Sequence, residues 1–188
     1  WDFAPDKSKI LMLTHSVLAA EQGYAGIAKV FKYNDAFIKK EDPCIELLAD
    51  TVEPFCTAYE NKHFGEMFGV LGAKTPAILR HADKGTWKRD MDKLLDLRST
   101  DTIGAVIDHL RQTNRPRLPD RVERREKELE QFDQDQNSEE PHSVTRLRKL
   151  KEVMYGEVIS LTQFINEKTP FSTKHGVKGA EFENVLVV

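Results

Sequence analysis

The chain has 188 residues, of which 39% are hydrophobic and 31% charged, with a formal net charge of −3. That length suits one domain or two small ones around a real core, and the charge argues against a free-standing, charge-driven nucleic-acid binder. No apolar run approaches the ~20 residues needed to span a bilayer, and WDFAPDKSK at the start lacks the basic and apolar regions of a signal peptide. With no initiating Met and a last stretch reading ENVLVV, the chain is expected to be a piece of something longer. Cys44 and Cys56 have no His or Cys partners at zinc spacing, so they are expected as buried thiols in a reducing cytoplasm.

In chain order, Lys9 to His15 (KILMLTH) is a continuous apolar run of strand length, apolar on both faces as a strand inside a covered parallel sheet would be. Ser16 reads as the N-cap of a helix from about Val17 to about Phe31, interrupted near Gly23 or Gly26. From Asn34 to Lys168 strand signals nearly vanish. Asp42-Pro43 opens a helix with a cap and a proline at its first position, and Pro54 is expected to kink or split it. Helical spacing continues over His63 to Leu71 and over Thr86 to Arg98, with Trp87, Met91, Leu94 and Leu95 inward. Ser99, Thr100 and Asp101 cap the next helix, which carries Ile103, Val106, Ile107 and Leu110.

Arg121 to Gln131 is helical by propensity and almost wholly charged. The arginines from Arg111 to Arg125 alternate with Asp120, Glu123 and Glu126, a pattern of a solvated face more than of a phosphate track. Asp133 to Pro141 is the least hydrophobic stretch and reads as a mobile loop. Leu147, Leu150, Met154, Val158, Leu161 and Ile165 predict one long amphipathic helix ended by Pro170. A strand, a polar loop and a last strand (Val185 to Val188) follow; this run is expected beside Ile10 to Leu13 in one parallel sheet, both being too rich in Val, Ile and Leu to be solvent-facing edges. The expected fold is mostly α with a small α/β part: strands from both ends of the chain form a partial parallel sheet interrupted by an all-helical insertion, with segments 1–33, 34–168 and 169–188.

The final loop carries the sharpest signal. Thr173, His175, Lys178, Gly179, Glu181 and Phe182 stand as T-x-H-x-x-K-G-x-E-F. Hydroxyl, imidazole and ammonium groups suit phosphate oxygens, and a glycine lets backbone approach a ligand closely. This spacing, followed by an apolar strand, resembles a late motor motif of UvrD/Rep-type superfamily-one DNA helicases, whose second RecA-like domain is interrupted by a helical accessory domain. The resemblance implies DNA contacts for Thr173, His175 and Lys178, and nucleotide-binding roles for Gly179 and Glu181, the latter at the ribose. Phe182 reads as packing under the loop.

His15 falls where many relatives carry an arginine that approaches the γ-phosphate, which makes it a weak nucleotide-site candidate. A neutral imidazole does not replace a guanidinium, and a strand-end histidine with a structural hydrogen bond is the competing reading. Thr102-Ile-Gly104 is similar to the Gly-Ile-Gly turn that some accessory domains set against duplex DNA, although an ordinary capped helix start explains it as well.

The chain has no G-x-x-x-x-G-K-[ST] loop and no acidic magnesium-binding strand, so it is expected to be catalytically silent alone, with none bound here of the ATP and Mg2+ used by the intact protein. The resemblance further implies single-stranded and duplex DNA and the remaining motor domain as partners, a cytoplasmic location and no membrane. The alternatives are a helical protein-interaction module without a motor and the matching piece of a helicase–nuclease.

Overall fold

A computed structural model describes residues 4–5, 7–12, 14–71, 78–134, 140–173 and 182–187. The expected mobile loop falls largely at 135–139, outside the described residues. The architecture is mostly helical with a three-stranded parallel sheet. Two compact units divide the chain: one takes the described residues up to Lys39 and from Glu157 onward, the other Lys40–Gly156.

The first unit contains β1 (Ser8–Met12), α1 (His15–Glu21), α2 (Ala25–Val30), and, from the far end of the chain, α10 (Gly156–Ile165), β2 (Phe171–Thr173) and β3 (Asn184–Val187). Strand order is β2-β1-β3, with Ile10 opposite both Phe171 and Leu186. β1 is therefore central, as its apolar composition suggests. β3 is not. Val185, Leu186 and Val187 are 48%, 42% and 61% exposed, so the expectation that both apolar runs are interior fails for β3. Val and Leu favour a pleated strand, but what covers that strand is decided by its neighbours.

Gly23 at φ +75° ends α1, and Tyr24 turns inward to an aromatic cluster with Phe37 and Phe164 at 6.0 and 5.4 Å between ring centroids. The N-cap of α1 is Thr14, not Ser16: its extended backbone leaves Oγ1 to accept from the Val17 N–H at 3.4 Å.

The second unit is wholly helical apart from one isolated antiparallel bridge between Thr102 and Met154, among the described residues. It comprises α3 (Pro43–Leu47), α4 (Glu53–Glu60), α5 (Phe64–Val70), α6 (His81–Thr100), α7 (Ile103–Thr113), α8 (Asp120–Gln134) and α9 (His142–Lys151). Asp42 caps α3, accepting from Cys44 N at 2.9 Å, with Pro43 at the first helical position. The disturbance expected at Pro54 is a π-helical turn over Leu48–Val52. Proline has no N–H for the carbonyl four residues back, and the ladder widens just before it. α6 starts earlier than its apolar spacing predicts, because Asp83 accepts from the Leu79 and Arg80 N–H groups at 3.0 and 2.8 Å. Thr102, rather than Ser99 to Asp101, caps α7.

The predicted long helix from Leu147 to Ile165 is two helices. The chain leaves α9 after Lys151, Ile103 N donates to Val153 O at 2.8 Å, and Tyr155 N donates to Asp101 O at 2.9 Å. Tyr155 is completely buried, whereas Met154, the member of the apolar repeat, is half exposed. Burial of the larger aromatic side chain outweighs helical continuity here.

Buried ion pairs tie the helices of this unit together. Arg98 spans Glu53 in bidentate fashion, Nε to Oε1 at 2.8 Å and Nη2 to Oε2 at 2.9 Å, and reaches Glu60 at 3.2 Å. The side chains of Arg98 and Glu53 are only 14% and 6% exposed. Removing the guanidinium strands a buried carboxylate, whereas replacing both groups removes the problem. Arg98→Ala should cost about 3 kcal/mol in urea denaturation, and Glu53→Met with Arg98→Met distinctly less. A double variant as damaged as the single one would show that the pair does not govern this packing.

Cys44 and Cys56 are both buried, and burial is the main reason each thiol is pushed up to about 12. A disulfide-exchange reagent such as DTNB should therefore label neither thiol in the folded chain at pH 8, and both after unfolding in guanidinium chloride.

Candidate nucleotide and DNA-facing site

Parallel pairing sets the geometry of the final loop. Thr173 lies opposite Met12 at the carboxyl end of β1, and Thr14 and His15 follow immediately to start α1. Backbone positions of Thr173 and His15 therefore share one end of the sheet, the end at which open parallel sheets bind ligands. From Thr173 the chain returns to the opposite end, where Asn184 N donates to Lys7 O at 3.1 Å and Asn184 Nδ2 to Ser8 Oγ at 3.3 Å. His175, Lys178, Gly179 and Glu181 lie between these anchors, outside the described residues.

His15 is the first residue of α1, not the last of the strand. Its Nε2 lies 3.9 Å from Asp35 Oδ1, with both side chains about half exposed. At that distance the contact is a loose, solvent-screened one and not a hydrogen bond, so Asp35 does not supply the structural hydrogen bond of the competing reading.

Phe182 has a neighbour that the sequence reading missed. Lys9 is 6% exposed, and its Nζ stands over the Phe182 ring at 5.4 Å from the centroid. A cation held on an aromatic face contributes roughly 0.5–2 kcal/mol. Lys9 thereby ties the end of the loop to β1, alongside the Asn184–Ser8 bond. The available signal was a lone cation opening an otherwise apolar run. The α2 N-terminus is held from within the same unit: Glu157 Oε2 accepts from Ile27 N at 3.0 Å.

The Thr102-Ile-Gly104 turn is built for packing. Thr102 Oγ1 accepts from Ala105 N at 3.2 Å, Ile103 is completely buried, and Ile103 N is taken by Val153 O. A Cβ on Gly104 would stand 2.9 Å from Lys151 O and 3.0 Å from Lys151 Cβ. The glycine serves the close approach of α7 to α9. Gly104→Ala should lower stability by roughly 1–3 kcal/mol in chemical denaturation, because a backbone atom cannot step aside as a side chain can. A neutral result would free this turn for another role.

The arginine-rich segment does not form a cationic track. Arg111 pairs with Glu123 at 3.1 Å and with Glu130, and Arg115 pairs with Asp90 at 2.6 Å while lying over Trp87. Arg117 pairs with Asp120 at 3.1 Å, Arg121 with Glu46 at 3.5 Å and Arg125 with Asp42 at 2.5 Å. Arg111, Arg121 and Arg125 join helices to one another, whereas Arg117 pairs locally with the first residue of α8.

No helix among the described residues is long and apolar enough to cross a membrane. Comparison of the chain with family models, with curated proteins and with solved structures finds no match.

Proposed function

We propose that this chain is part of the second motor domain of a UvrD/Rep-type ATP-dependent DNA helicase, together with its helical insertion. The supporting observation is the parallel pairing of β1 with β2 and β3, the strands that bracket the T-x-H-x-x-K-G-x-E-F loop. A RecA-like sheet interrupted by helices requires this kind of return, and Thr173 stands at the ligand-binding end of such a sheet.

In this reading Thr173, His175 and Lys178 bind phosphates of the tracking strand without reading its sequence. Gly179 admits close backbone approach, and Glu181 accepts from a ribose hydroxyl. ATP with Mg2+, held mainly by the other motor domain, supplies the phosphoryl chemistry. The His15 imidazole, exposed at the same sheet end as Thr173, is the group of this segment that faces the nucleotide. Lys9 and Phe182 hold the far end of the loop on β1, so that loop movement is transmitted to the sheet.

The test uses the intact protein. His175→Ala should raise the single-stranded DNA concentration that half-stimulates ATP hydrolysis about fivefold, as expected from losing ~1 kcal/mol of phosphate contact, with nucleotide affinity nearly unchanged. Glu181→Ala should weaken nucleotide affinity more than DNA stimulation. Equal shifts in both quantities for both variants would reject this division of roles. ATP hydrolysis that co-purifies with the isolated 188-residue chain would reject the motor-fragment reading itself.

A further inference from the structure

The helical unit carries an apolar cavity of about 490 Å³ where α4, α5 and α6 meet. Its walls are aromatic: Phe68 meets Trp87 edge-on at 5.4 Å, and Tyr59 meets Phe64 at 6.1 Å. Met67 and Met91, both buried, complete the lining, and thioethers adapt readily to the shape of an incoming group. The apolar surface continues outside the cavity. Phe64 and Phe68, four residues apart on α5, are 50% and 38% exposed. Gly65 and Gly69 beside them leave open space along the same helix, so another backbone can come close.

The charged side chains lining the cavity are Lys84 and Lys88, and among the described residues no acid lines it. Lys88 is bridged to Asp92, which also accepts from the Tyr59 hydroxyl at 3.0 Å. That bridge is solvent-exposed and holds the ammonium only weakly. Lys84 is exposed and has no carboxylate partner among the described residues.

We infer that this cavity docks an amphipathic helix of a partner protein, with a Leu, Phe or Trp anchor in the cavity and carboxylates facing Lys84 and Lys88. An apolar anchor in a desolvated pocket with complementary rim charges is the usual anatomy of a helix-in-groove interface. A second copy docked through this same face would bring the two lysines near their own equivalents. A nucleic-acid strand would require a run of free cations, whereas here two lysines border an apolar cavity. The inference stands independently of the helicase reading.

The probe is a fluorescein-labelled 18-residue helical peptide with Leu and Trp at i, i+3, i+4 and i+7 and Glu at the flanking positions. Two controls replace Glu by Lys, or the Leu and Trp residues by Ser. By fluorescence anisotropy with the full 188-residue chain, the acidic peptide should bind at least roughly tenfold tighter than either control. Lys84→Glu with Lys88→Glu, both exposed positions checked for folding by circular dichroism, should weaken it about tenfold and invert the preference toward the Lys peptide. Phe68→Ser should weaken both charged peptides alike. Amide chemical-shift changes on binding should cluster on α5 and α6. Absence of binding, equal affinity for the acidic and Ser peptides, or indifference to these substitutions would overturn the proposal. So would a dimer by sedimentation that Phe68→Ser dissolves, or an oligo-dT complex that the lysine reversals abolish.

Discussion

Everything in the sheet-bearing unit depends on β1 finding its two hydrogen-bonding partners in segments more than 150 residues later. A parallel strand cannot be satisfied by a short turn, so each edge of β1 must wait for a distant return of the chain. The register that results, with Ile10 facing Phe171 on one side and Leu186 on the other, decides where the last loop begins and ends. Thr173 is delivered to the carboxyl end of the sheet and Asn184 to the other end. One pairing pattern thus provides both the structural anchor of the loop and the geometry on which the proposed function relies.

The helical unit is held by a different logic. Apolar side chains such as Leu48, Phe55, Met91 and Ile107 make a dry core, and carboxylate–cation pairs are set into its margins. Arg98 with Glu53, Arg125 with Asp42 and Lys151 with Glu126 each place one partner nearly out of water. Such pairs add little net stability compared with apolar replacements, but each is costly to break halfway. They also explain why a segment dense in arginine gives no broad cationic face. In α5 and the first half of α6 the balance changes: aromatic rings are exposed and lysines line the cavity, so that region has surface left for recognition.

Local chemistry made much of the helical pattern legible. Asp42-Pro43, the glycine at position 23 and the apolar spacing on α6 and α7 act within a turn or two of the chain, and their signals survive into the fold. The break between α9 and α10 was illegible for the opposite reason. Its cause is Tyr155, which reaches a fully buried site and hydrogen-bonds the backbone beside Thr102, some fifty residues earlier. Leu150, Met154 and Val158 keep helical spacing across the break, so periodicity alone reports a helix where the chain bends.

By itself the sequence determined the mostly helical class with a small parallel sheet, the positions of most helices and the grouping of polar residues in the last loop, because capping, side-chain periodicity and motif spacing are local properties. Tertiary structure decided the rest. It placed β3 at an exposed edge despite its apolar composition, since burial depends on neighbours and not on propensity. It made His15 a helix residue near Asp35, assigned Gly104 to helix packing, and set Lys9 over Phe182. Each of these contacts joins residues far apart in the chain or turns on a backbone position only the folded neighbourhood defines, and no pattern of spacing along one segment encodes it.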